Sequence, residues 1–200
     1  MNHYTIAPVS GAINWNDIAW TYVENQMWGT DTDITMGAQI CYSDAGFHVH
    51  LKAKEANIRA EEPIPYGMAC QDSCMEFFFS PEEGDIRYFN IELAASGCTY
   101  IGLCRNRYDA ARLSLESGGI LQDLVINRTE DGWEAFYTFP MKFIHLFFPD
   151  CKLYPGKKLR ANLYKCGDLT VQEHYIAWNP MNPDKPDYHL PEFFGEMTLG

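Results

Sequence analysis

The feature that most constrains this chain is a two-residue rhythm that recurs in short bursts and never lengthens into a helical one. In 73–79, Met75, Phe77 and Phe79 alternate with Cys74, Glu76 and Phe78. In 86–94, Phe89, Ile91 and Leu93 oppose Tyr88, Asn90 and Glu92, and in 159–166, Leu159, Ala161 and Leu163 oppose Arg160, Asn162 and Tyr164. Successive side chains of a strand point to opposite faces, so each segment carries one apolar face and one face holding Glu, Asn, Arg or Tyr. Further strand-like segments at 34–42, 47–53, 121–127, 133–139 and 171–178 are divided by turn signals such as Ser43-Asp44-Ala45-Gly46, Thr129-Glu130-Asp131-Gly132 and Gly167-Asp168. Only 141–148, between Pro140 and Pro149, has room for a short helix. Strand runs without long amphipathic helices mean sheet packed on sheet. The pattern predicts an all-β sandwich, jelly-roll or immunoglobulin-like, mainly antiparallel, with at most one short helix.

Two hundred residues suit one such domain spanning 1–200, with enough buried surface to need no disulfide or metal staple. The net charge of −12 repels a phosphate backbone or an anionic membrane, so nucleic acid and membrane are excluded as partners, whereas a neutral sugar is indifferent to that field. No apolar run approaches the ~20 residues of a membrane helix. The seven cysteines are odd in number and contain no CxxC pair, which argues for buried thiols rather than a disulfide framework or zinc knuckle. The opening MNHYTIAPVSGA has neither a basic start nor an apolar run. With the free thiols it predicts a cytoplasmic protein, or a secreted or periplasmic one if a signal has been trimmed.

The face of Glu76, Tyr88, Asn90, Glu92, Arg160 and Asn162 reads either as a solvated outer surface or as a platform for a polyhydroxylated ligand. The motifs decide between them. Asp72-Ser73-Cys74-Met75-Glu76-Phe77-Phe78, Tyr88-Phe89-Asn90, Arg160-Ala161-Asn162-Leu163-Tyr164-Lys165-Cys166, Trp178-Asn179-Pro180 and His189-Leu190-Pro191-Glu192-Phe193-Phe194-Gly195 follow one another from about residue 70 to the C-terminus. In that order they resemble the family 9 carbohydrate-binding modules, especially a bacterial branch found alone or beside polysaccharide-degrading enzymes.

The resemblance implies a β-sandwich that holds a sugar or chain end between two aromatic rings, with polar side chains on the hydroxyls. Trp178 stands where the C-terminal clamp ring is expected, and Glu76 matches the acid that accepts hydroxyl hydrogens. The other ring's position is Cys70, a departure for which Tyr66 or Tyr100 could substitute. The expected ligand-binding set is therefore Trp178, Glu76, Arg160, Asn90, Asn162, Tyr88, His189 and Cys70, for an oligosaccharide or polysaccharide. The family also brings structural calcium into view, although no EF-hand-like spacing marks a site; no other cofactor is expected.

Three other classes are weaker. A glycoside hydrolase would use two carboxylates such as Glu76 and Glu92, flanking a cleft and with one kept protonated; both are expected on an exposed sheet face. A haem carrier would need Met68 or Met75 with His174, and a metal protein more than the pair His48 and His50. An interaction domain with a degenerate sugar site finds its best argument in Cys70. Asp72, at a strand start, reads as a turn or capping residue.

Overall fold

The computed structural model describes residues 1–115 and 119–200. The described strands are β1 (His3–Pro8), β2 (Thr21–Val23), β3 (Asn25–Gln26), β4 (Thr35–Ser43), β5 (Gly46–Lys54), β6 (Cys74–Ser80), β7 (Tyr88–Ala94), β8 (Thr99–Cys104), β9 (Ala110–Arg112), β10 (Gln122–Arg128), β11 (Gly132–Pro140), β12 (Lys158–Gly167), β13 (His174–Ala177) and β14 (Gly195–Leu199). The helix, α1 (Met141–Ile144), is a single turn, and the remainder of 141–148 continues as tight turns before Pro149. The protein is all-β.

The strands form one curled path, β10-β11-β5-β4-β1-β14-β12-β6-β7-β8-β9. The alternation in β5 shows why it closes. Phe47, Val49, Leu51 and Ala53 are fully buried, while His48, His50, Lys52 and Lys54 point the other way. The path turns back on itself, and Phe47 of β5 meets Phe79 of β6 at 5.2 Å while Phe139 of β11 meets Phe89 of β7 at 5.0 Å. Each such buried ring contributes roughly 1.5–3 kcal/mol. Antiparallel pairing prevails, but the sheet is mixed. β1 runs parallel to β14 through His3–Ile6 and parallel to β4 through Ala7 and Pro8, joining the two halves.

One expectation fails here. Apart from Lys158 and Arg160 at the start of β12, the polar faces of β6, β7 and β12 are not solvated. Met75, Phe77, Phe89, Ile91, Leu159 and Leu163 enter the main core, and the opposite residues enter a second apolar cluster containing Cys74, Phe78, Tyr88, Tyr164 and Cys166. Loop residues Ala69, Met181, Tyr188 and Phe194 complete that cluster. The C-terminal loops thus lie over the sheet as a lid of aromatic side chains, and the polar residues beneath are buried with them. Six of the described strands were not foreseen: β1, which ends in a proline, β2, β3 and β9, which are two or three residues long and too short to show a period, and β8 and β14.

Candidate functional site

Between the second cluster and its covering loops lies a cavity of about 180 Å³. One wall is the sheet. Glu76 on β6 and Glu92 on β7 are direct cross-strand partners, so both carboxyl groups stand on the same wall. They are 2 % and 7 % exposed, which corrects the expectation of an open sheet face. Burial, and then the neighbouring Glu92, holds the Glu76 carboxyl well above the ordinary range. Burial pushes Glu92 up to about 7, opposed by the hydrogen bond from Asn90 and reinforced by Asp168. The Cys166 thiol donates to Glu76 Oε1 at 3.0 Å, and Asn90 Nδ2 donates to Glu92 Oε1 at 2.9 Å. Asp168, in the turn after β12, adds a third carboxyl group, itself raised by burial.

The opposite wall is aromatic and comes from loops. Trp28 and Gly29 adopt left-handed backbone, φ 50° and 80°, an arrangement a bulky side chain rarely takes. The turn leaves the indole half-buried at the cavity, its Nε1 donating to Pro183 O at 2.8 Å. Tyr175 lies edge-on to it at 5.7 Å, and Tyr188 stacks flat on Tyr164 at 3.9 Å. The rim is polar. Arg107 Nε donates to Asp187 Oδ1 at 3.0 Å, and that oxygen also accepts the backbone N–H of His189 at 2.9 Å. Burial, then Arg107, pushes His189 down to about 4, so the imidazole is neutral at physiological pH. Its Nδ1 pairs with the Tyr88 hydroxyl at 2.9 Å.

The expected site residues divide. Glu76, His189 and Cys70 line the cavity. Tyr88 and Asn90 stand one layer back, holding His189 and Glu92. Asn162 is structural: its side chain accepts from Asn179 N and donates to Asn179 O, fixing the chain after β13. Arg160 donates to Phe194 O at 2.6 Å and pins the 191–194 turn instead of facing the cavity. Trp178 requires correction. It is 2 % exposed within the main core, its Nε1 donating to Thr21 Oγ1 at 2.7 Å, and Gly195 lies so close that a Cβ there would come within 2.4 Å of the ring. The indole fills space between the sheet halves, with no face left for a sugar.

Other candidates resolve on their hydrogen bonds. Tyr66 and Tyr100 flank Arg112 rather than the cavity. The rings of His48 and His50 are engaged by Ser43, Thr138, Gln39 and Glu134. His174, pushed down to about 4 by burial and by Lys165, bonds Lys165 Nζ and Gln172 O, and Met75 is a core residue. Asp72 accepts from Arg59 and from the backbone N–H groups of Glu61 and Glu62, ordering that loop. Among the described residues, one group of side chains brings three potential metal ligands together: Cys74, Glu76 and Cys166. Two thiols and one carboxyl form a soft set, unlike the all-oxygen shell calcium takes.

Sequence reasoning missed Trp28, Arg107, Asp168 and Tyr175. The signal for Trp28 was the bulky-residue–glycine pair Trp28-Gly29, a turn that displays its side chain. Asp168 stood in an identified turn, and Arg107 carried no local pattern.

A sheet-walled cavity with aromatic and carboxyl linings defines a binding module of the carbohydrate-recognising class. The chain belongs to carbohydrate-binding family 9, whose model matches residues 8–199. Similar solved structures support the fold. A candidate carbohydrate-binding protein from Bacteroides uniformis is 24% identical with a TM-score of 0.85, over 99% of both chains. A family 9 carbohydrate-binding module from Caldicellulosiruptor kristjanssonii, in complex with cellotriose, is 11% identical with a TM-score of 0.69, covering 99% of this chain and 93% of that one. A structure of such a module from the same organism with glucose gives 11% and 0.70, over 100% and 96%. No curated protein matches the chain.

Proposed function

We propose that this protein binds carbohydrate without cutting it, seating one sugar unit in the cavity between the Trp28 indole and the Glu76–Glu92 wall. The observation that carries the reading is the cavity itself: about 180 Å³, room for a single ring, lined by an indole and converging carboxyl groups in a family 9 fold. The Caldicellulosiruptor module's complexes with cellotriose and glucose support a sugar as ligand. Trp28 supplies the apolar surface that the C–H face of a sugar requires, worth about 1 kcal/mol by analogy with other aromatic contacts. Glu76, Glu92, Asp168 and His189 supply the hydrogen bonds, about 1.5–3 kcal/mol each where the partner is charged. After the entropy of association, millimolar to micromolar affinity follows.

The placement of the two acids favours binding over hydrolysis. A glycosidase sets its carboxyl groups on opposite sides of the scissile bond, whereas Glu76 and Glu92 are adjacent on one wall.

Calorimetric titration against a panel of mono- and oligosaccharides tests the reading, with Trp28→Ala as the variant. We expect at least about tenfold weaker binding in that variant with an unchanged circular dichroism spectrum. Undiminished affinity would remove Trp28 from the site.

A further inference from the structure

The cavity's hydrogen-bonding inventory is lopsided. Glu76, Glu92, Asp168 and Asp187 bring four carboxyl groups to its lining, and Arg107 is the one Lys or Arg beside them. Arg107 is already bonded to Asp187. The carboxyl groups of Glu76 and Glu92 are more than nine-tenths buried, and neither is within ion-pair distance of a Lys or Arg among the described residues. Their protein partners are one amide, from Asn90, and weak thiol donors, from Cys166 and Cys74. Behind Glu92, Asn90 Oδ1 is buried with no donor at all.

Buried acceptors without donors, and buried acids without cations, are both costly. A neutral sugar hydroxyl relieves only part of that cost, because each hydroxyl brings one donor and no charge. An ammonium group brings three donors, accepts nothing and carries the charge the wall lacks. Its binding draws a proton off the pair to solvent, from Glu92 whose carboxyl ionises at about 7, and the attraction between the carboxylate so formed and the ammonium group is far stronger in this water-poor site than at an exposed surface.

We propose that the cavity prefers an amino sugar, a saccharide unit with a free ammonium group, over the neutral sugar of the same ring. The inference rests on the carbohydrate-binding reading above and adds the ligand class. The Glu76–Glu92 wall takes the ammonium group, Asp168 adds to the field, and Trp28 holds the ring. N-acetylation of the sugar removes both the charge and two of the donors, so it abolishes the advantage.

Calorimetry at neutral pH with glucosamine, glucose and N-acetylglucosamine tests this on the intact protein. We expect glucosamine to bind about tenfold or more tightly than either neutral sugar, and the ratio to fall towards unity in Glu92→Gln, which keeps the shape and removes the charge. Neutral sugars bound as tightly as glucosamine, with sensitivity to Trp28→Ala, would overturn the cation preference and leave the carbohydrate reading standing. Absence of binding by all three sugars and by the wider panel would overturn both. Stoichiometric zinc in the purified protein, bound through Cys74, Glu76 and Cys166 and required for glucosamine binding, would also overturn the proposal, because the wall would then already hold its cation.

Discussion

Replacing Glu92 by glutamine should make this protein more stable, and by an amount set by pH. The carboxyl group is buried, and its proton leaves at about 7 instead of the ordinary 4.5. Between those values the folded chain holds a proton that the unfolded chain has lost. Stability therefore falls as pH rises through that window, and is level below and above it. At about 1.4 kcal/mol per pH unit, the gap amounts to about 3 kcal/mol above pH 7. Glutamine has no proton to lose, and its side-chain oxygen still accepts from Asn90 Nδ2, which now bonds Glu92 Oε1 at 2.9 Å. Removing the charge also relieves Glu76, whose own carboxyl group Glu92 helps to hold protonated. Denaturant unfolding should show wild type and Glu92→Gln equal near pH 4, and the variant more stable by up to about 3 kcal/mol near pH 8. In a melt that is roughly 6–12 °C, at ~2–4 °C per kcal/mol for a chain of this size. No gain near pH 8, or the same gain at both pH values, would refute the reasoning, since a charge buried without compensation cannot behave so.

Two further variants separate structure from site. Trp178→Ala should lower stability by about 3–5 kcal/mol, the cost of emptying a large core position, read by denaturant unfolding. Sugar affinity of the fraction that remains folded should change far less than in Trp28→Ala. Lys165→Ala should be comparably damaging, about 3–5 kcal/mol, because Lys165 Nζ lies 3.1 Å from Glu55 Oε2 with both side chains sealed from solvent; a loss below about 1 kcal/mol would show the pair to be replaceable by its Ser73 and Trp133 partners.

The all-β architecture was legible because its cause is local. Alternation in 47–53, 73–79 and 159–166 is a property of consecutive residues, and the observed β5, β6 and β12 differ from those spans by a residue at either end. The motifs around Glu76 and His189 likewise mark the stretches that meet at the cavity. What alternation cannot say is what covers each face. The residues opposite Phe77, Ile91 and Leu163 look solvent-facing in the sequence, yet loops from Trp28, Ala69 and Tyr188 bury them and turn a polar surface into the wall of a cavity. The same ignorance explains Trp178 and Trp28. Both are tryptophans near turns, and chain proximity treats them alike. Packing decides between them: β1 and β14 bring the backbone of Gly195 against Trp178 and seal it in, while two left-handed residues hold Trp28 at the cavity. The local sequence thus determined which segments are strands and which side chains share a face. Only the tertiary structure decided which face is dry, which carboxyl groups keep their protons and which indole meets a ligand, because burial is a relation among residues far apart in the chain.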